Sequence, residues 1–188
     1  MESIQLTSTE RQLLLYDIFH GCEQVSYEEI TSRLPIGKKM IQRDIAILTD
    51  AGLLSVQYSR KERAYLHAAQ KPVFNENATG KYRTHLMKLR RMATLMTELY
   101  MEGHSYYCDD GDEYYSCKEC YYELFPDANE RMRQRDFVQL NNIGYRVRYD
   151  NTERRYRMWD NSGLRENFGV YRENGKLMRY KDIEYDLW

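Results

Sequence analysis

Proline is scarce in this chain, with 3 residues in 188, and glycine is limited to 10. With 42% apolar residues beside that scarcity, wholesale disorder is excluded and a core can be built. Four cysteines are too few for a disulfide-rich scaffold of this length. Reduced thiols and a cytoplasmic location are the corresponding expectations. No run approaches the roughly 18 apolar residues that a membrane helix needs. The start, Met1-Glu2-Ser3-Ile4-Gln5, lacks the basic and long apolar stretches of a signal peptide. Neither sign of charge dominates: 28 Lys and Arg face 29 Asp and Glu, for a net of −1. A uniformly basic nucleic-acid binder is therefore excluded, but charge sorted into segments is not. Catalytic signatures are also missing. There is no Gly-rich phosphate loop, no G-x-S-x-G and no H-E-x-x-H, and His20, His67, His85 and His104 are scattered. Neither enzymatic activity nor a cofactor is expected.

What the chain does have is tyrosine, 18 residues, and charge arranged in blocks. Residues 1–70 sum to −1, 71–103 to +3, 104–130 to −7 and 131–188 to +4. One acidic, Tyr-rich stretch cancels two basic ones. The length fits one ordinary domain or two small ones.

An internal repeat favours two. Gln42-Arg43-Asp44 matches Gln134-Arg135-Asp136, Leu48 matches Leu140, and Gly52 matches Gly144. After a one-residue deletion, Val56 and Tyr58 match Val147 and Tyr149, Glu62-Arg63 matches Glu153-Arg154, and Tyr65 matches Tyr156. Upstream, Ser26 to Ile30 before Leu34-Pro35 corresponds more loosely to Ser116 to Cys120 before Phe125-Pro126. Each copy spans about 60–75 residues, a small domain that leans on a neighbour.

The first copy has a readable plan. Thr9 with Gln12 predicts a helix start ahead of Leu13, Leu14, Tyr16, Ile18 and Phe19. Ser26 with Glu29 predicts a second start. A third helix begins near Gly37, with Ile41, Ile45 and Leu48 on one face, and ends at Gly52. A hairpin follows: Leu54–Tyr58, a charged turn at Ser59–Arg63, and Ala64–His67. Helix, short helix, helix, hairpin is the order of a winged helix.

The run Ile41-Gln42-Arg43-Asp44-Ile45, then Leu48 and Ala51-Gly52-Leu53, resembles bacterial winged helix-turn-helix regulators of the DeoR type and the WYL-domain regulators. The likeness covers roughly residues 7–67 and, more loosely, 84–159. It implies a recognition helix followed by a wing, and transcription regulation by DNA binding. The chain departs in having Met40 and Met132 where a threonine is common. A second winged helix stands where such regulators usually carry a ligand-sensing domain.

In the third helix of the first copy, Lys38, Lys39, Gln42 and Arg43 project if Ile41, Ile45 and Leu48 face the core. Arg or Lys can bond guanine O6 and N7, and Gln can bond adenine N6 and N7. Arg60 and Lys61 in the wing suit phosphates. Asp44 would repel phosphate unless it pairs with a neighbouring Arg or Lys, and Arg43 is open to that structural role as well. The second copy holds eight Arg between 131 and 157, opposed by Asp136, Asp150 and Glu153, for a net of +5. From these, Arg131, Arg135, Arg154 and Arg155 are candidate DNA contacts. Arg133, however, stands at the position of core Ile41, so this helix either packs differently or is less buried. Arg146, Arg148, Arg155 and Arg157 alternate along the wing strands and so share one face.

His104, Cys108, Cys117 and Cys120 have the residue types of a tetrahedral zinc site. The repeat offers a competing reading, because Cys120 aligns with core Ile30, and a buried Cys behaves as a small hydrophobe. Asp109–Glu113 lacks the twelfth-position Glu of an EF-hand and reads as a solvated turn. Tyr82, Leu86, Leu89, Ala93, Met96 and Tyr100 form a heptad seam, either a dimer contact or a helix face on the core. Asn174-Gly175 between Val170–Glu173 and Lys176–Tyr180 predicts a C-terminal hairpin.

The expected fold is thus α+β: two tandem winged helix-turn-helix domains with an extra C-terminal β-hairpin. Residues 1–70 form the first, 71–80 a linker, and 81–188 the second domain with the hairpin. The expected partner is double-stranded DNA, with a second copy of the chain or a protein meeting segment 104–130 as further candidates. The alternative is a tandem winged-helix protein-interaction module, such as an accessory subunit of a chromosome-segregation complex.

Overall fold

The computed structural model describes residues 3–99, 116–145, 147–152, 154–158 and 170–180. The chain is mixed α+β, with helices and small antiparallel sheets. The described residues cluster into two units. One holds those up to Leu89 together with Val170–Tyr180, and the other holds Arg90–Met158.

The first unit begins with strand β1 (Ser3–Gln5) and helix α1 (Ser8–His20). The N-cap of α1 is Thr7 rather than the expected Thr9. Glu10 explains the shift. Its carboxylate accepts from the Thr7 backbone N–H at 2.7 Å, closing a capping box with a charged acceptor. The expected partner Gln12 is engaged elsewhere. Strand β2 (Gln24–Ser26) leads into α2 (Tyr27–Arg33), capped by Ser26 and Glu29 as predicted. Helix α3 (Lys38–Asp50) buries Ile41, Asp44, Ile45 and Leu48. It ends before Gly52, whose φ is +67°. A side chain there would also collide with the backbone of Phe74, 2.7 Å from where its Cβ would sit. Strands β3 (Val56–Ser59) and β4 (Ala64–His67) form the predicted hairpin, and β2 pairs with β4 to give the order β2-β4-β3.

Among the described residues, the second unit repeats part of this plan, a helix, a short capped helix, a third helix and a hairpin, with a two-stranded sheet in place of three strands. Helix α4 (Gly80–Thr94) continues into a π turn at Leu95–Leu99. Helix α5 (Cys117–Leu124) starts with a capping box of Ser116 and Glu119, the counterpart of Ser26 and Glu29. Helix α6 (Glu130–Asn142) has the same length as α3, 13 residues. Strands β5 (Val147–Asp150) and β6 (Arg155–Met158) make the second hairpin. The repeat extends to the backbone. Arg63 and Arg154, at matching places in the two hairpin turns, both adopt positive φ, +51° and +52°. Tyr58 lies opposite Tyr65 in one hairpin, and Tyr149 opposite Tyr156 in the other, each pair edge-on with ring centroids 5.2 and 5.3 Å apart.

Three expectations need correction. The C-terminal hairpin forms at Asn174-Gly175, both with positive φ, but it does not group with the second unit. Its strands β7 (Val170–Glu173) and β8 (Lys176–Tyr180) make a sheet with β1, in the order β1-β8-β7. Ser3 pairs with Tyr180, and Arg172 donates to the Pro35 carbonyl at 2.6 Å, so the hairpin belongs to the first unit. Residues 71–80 are not a plain linker. Phe74 bridges to Ala51, and the Asn75 N–H donates to the Asp50 carbonyl at 2.8 Å. The boundary between units instead falls inside α4, between Leu89 and Arg90. The heptad seam of that helix is mostly core: Leu86, Leu89, Ala93 and Met96 are buried, joined by Met92, Leu95 and Leu99, while Tyr82 is exposed. Tyr100 lies outside the described residues.

Candidate nucleic-acid interface

Helix α3 sorts its side chains cleanly. Ile41, Ile45 and Leu48 go to the core, and Lys38, Lys39, Gln42 and Arg43 are exposed. The acid of the motif does not share that outward face. Asp44 is 0% exposed and accepts from Arg11 Nε at 2.6 Å, Arg11 Nη2 at 2.9 Å and Gln12 Nε2 at 3.0 Å. Both donors come from α1. The partner of Asp44 is therefore a residue 33 positions away rather than its neighbour Arg43. Arg43 is left on the surface, with Nη2 2.8 Å from Met40 Sδ. A two-pronged Arg–carboxylate pair of this kind fixes geometry as well as charge.

Two features make the start of α3 receptive to anions. Its N-cap is Gly37, which contributes no side-chain cap, and its first turn holds no acid. Lys38 and Lys39 stand there instead. The Lys38 ammonium sits 5.7 Å from the centre of the Tyr58 ring, resting on the hairpin. In the turn, Arg60, Lys61 and Arg63 are exposed, with Glu62 3.5 Å from Lys61. Sequence reasoning did not single out Tyr58 or Arg63. The repeat held the signal for both, since each has a match in the second copy.

The second unit keeps the scaffold and changes the surroundings. Asp136 is 1% exposed and accepts from Arg91 Nε at 2.6 Å, Arg91 Nη2 at 3.1 Å and the Tyr121 hydroxyl at 2.8 Å. Burial and that bond to Asp136 raise the pKa of Tyr121. Arg131 and Arg135 are exposed, as is Arg154 in the turn, while Arg155 is half-buried. Arg148 and Arg157 are exposed and directly opposite each other across the hairpin, and Asp150 lies 3.3 Å from Arg157. Arg146 and Glu153 lie outside the described residues.

Arg133 is 1% exposed, so the position of Ile41 stays buried although its chemistry is reversed. Its guanidinium stacks on Phe137 and Tyr156, 4.9 and 4.4 Å from their ring centres. Glu130 provides the countercharge, with Arg133 Nη2 at 2.5 Å. That bond, and one from the Tyr122 hydroxyl, lower the Glu130 pKa to about 2. Asn129 caps this helix through the Met132 N–H at 2.9 Å. The start of α6 is thus closed by a side-chain cap and an acid, where α3 is open.

Cys117 and Cys120 are buried on α5, and burial pushes the Cys117 thiol up to about 11. Cys120 fills the place of Ile30, as the repeat suggests. The other two candidate zinc ligands, His104 and Cys108, lie outside the described residues. Among the described residues, no helix is long and apolar enough to cross a membrane. No family model, no curated protein and no solved structure matches this chain.

Proposed function

We propose that the chain is a DNA-binding transcriptional regulator of two tandem winged helices, reading duplex DNA through α3 of the first unit. The order α1, β2, α2, α3 and a hairpin, with β2 paired to β4, supports the winged-helix assignment. One observation carries the DNA reading. The acid of the Arg-Asp motif is wholly consumed by Arg11 and Gln12, so the outward N-terminal half of α3 offers only Lys38, Lys39, Gln42 and Arg43. A recognition helix lays that half into the major groove. Gln42 and Lys39 or Arg43 supply base contacts, and Arg60 and Lys61 hold backbone phosphate.

The test is binding of the full chain to duplex DNA across a salt series. Affinity should fall as salt rises, with a slope set by the number of phosphates neutralised. No binding at low salt overturns the proposal. Lys39→Ala with Gln42→Ala should weaken a selected site more than random duplex, on the order of tenfold or more. Equal loss on both would remove these residues from base reading.

A further inference from the structure

Helix α2 ends and α3 begins within a strongly basic stretch. From Ile30 to Arg43 the chain carries Arg33, Lys38, Lys39 and Arg43 and no acid. All four cations are exposed. The acid upstream, Glu29, accepts from the Ser26 backbone N–H at 2.6 Å, and the one downstream, Asp44, is buried on Arg11. A cluster of like charges repels itself in the fold and gains from a bound anion.

A fifth cation reaches this turn from 137 residues away. Arg172, on strand β7 of the terminal hairpin, donates from Nε to the Pro35 carbonyl at 2.6 Å. Pro35 stands two residues before the N-cap Gly37, no more than about 8 Å along the chain. A guanidinium has five N–H donors, and this bond uses the one on Nε. The two Nη groups have no partner among the described residues, and the side chain is exposed. The Nε bond therefore fixes the plane of the group and leaves its end-on fork open, a match for two oxygens of a phosphate. Docking of the hairpin does not depend on this bond. Strand β8 already pairs with Ser3–Gln5, and the Leu6 N–H donates to the Leu177 carbonyl at 2.9 Å. The other face of the hairpin has no such fork, since Lys176 lies across from Glu173 there.

We infer that the terminal hairpin is a second wing, in which Arg172 holds a backbone phosphate of the duplex that α3 enters, beside the turn between α2 and α3. The inference rests on the DNA-binding reading above and adds a contact outside both α3 and the turn between β3 and β4. Both hairpins of the first unit meet the start of α3, one through Tyr58 and Lys38, the other through Arg172 and Pro35. The ligand is phosphate rather than a base edge, because the anchor at Pro35 sets the fork ahead of the helix and not along its outward face. Such a contact fixes register on the duplex and carries no sequence information.

The test uses a duplex selected by the full chain from a random pool, remade with one phosphate at a time neutralised as methylphosphonate. At one phosphate flanking the element read by α3, neutralisation should weaken the unaltered chain roughly tenfold and leave Arg172→Ala unaffected. Arg172→Ala should lose the same factor on selected and random duplex and lower the salt slope by about one phosphate. Lys176→Ala should keep both the slope and the phosphate pattern of the unaltered chain. Arg172→Gln retains an N–H donor for Pro35 but no charge, and should behave as Arg172→Ala does. If Arg172→Gln binds like the unaltered chain, the bond only pins the hairpin and the inference falls. Equal losses for Arg172→Ala and the unaltered chain at every neutralised phosphate also overturn it. The two readings fail separately. An unaltered chain that binds no duplex sinks both, whereas one that binds, loses site preference with Lys39→Ala and Gln42→Ala, and ignores Arg172→Ala sinks only the second wing.

Discussion

The two units solve one packing problem with opposite chemistry. At the centre of the third helix the first uses Ile41, and the second uses Arg133 stacked on two aromatic rings. The charged solution has a consequence one turn away. Arg133 needs a countercharge, and Glu130 supplies it from the helix start, where the first unit carries Lys38. A choice made in the core thereby sets the electrostatics of the surface. The first unit keeps an uncapped, lysine-bearing helix end suited to phosphate, and the second closes its end with Asn129 and Glu130.

The largest expected effect comes from forcing the second solution onto the first scaffold. Ile41→Arg would bury a cation beside Lys38, with no acid three residues before it, and should cost roughly 3 kcal/mol or more in denaturant unfolding. The converse, Arg133→Met, should be close to neutral or stabilising, because it replaces a buried guanidinium with an apolar side chain and leaves behind only Glu130, which is 52% exposed and can be solvated. Equal losses from the two changes would show that the countercharge is not what distinguishes the sites.

Next in size is the pair of buried aspartates. Asp44→Ala strands Arg11, whose side chain is 10% exposed, and should cost about 3–5 kcal/mol. Asp136→Ala strands Arg91, which is 22% exposed and better hydrated, so its cost should be smaller. Urea titrations of both variants decide the order, and a larger loss from Asp136→Ala would reverse it.

The smallest effect is a pH response confined to the first unit. His85 Nε2 lies 2.8 Å from Gln12 Oε1, behind the bond from Gln12 to Asp44. Burial, then nearby Lys88, lower its pKa below 6.5, while Asp44 pulls the other way. The neutral ring is favoured in the fold, so the unfolded chain binds more protons between the two pKa values. Stability should fall as pH drops below 6.5 and level off below the folded-state pKa. His85→Gln should flatten the melting temperature between pH 7 and pH 5. The corresponding network around Asp136 uses Arg91 and Tyr121, neither of which titrates in that range.

Much of this was legible in local pattern. The third helices, the hairpins, Gly52 and the turn at Asn174-Gly175 each have a short-range cause, in apolar spacing or a required positive φ. The identity of the aspartate partners was not. Arg11 and Arg91 occupy matching places, with Leu15 and Leu95 four residues on, but little else in those helices agrees. The docking of the last hairpin was hidden for a different reason. Its pairing of Ser3 with Tyr180 is a long-range choice that no local periodicity encodes. The candidate interface was read better than its support. Lys38, Lys39, Gln42 and Arg43 reach the surface as expected, whereas the repeat marks Tyr58 by its match Tyr149 without saying that Lys38 rests on it.

Helix α4 contributes His85 to the network around Asp44 and Arg91 to Asp136, and β1 waits for β8. In synthesis, the first unit is therefore begun early and completed late, after the whole of the second has been made. A fragment stopped at residue 79 would lack Tyr82, His85 and the strand partner of Ser3–Gln5. The first unit is therefore not a segment that ends where the second begins, since its described residues lie on both sides of the second along the chain.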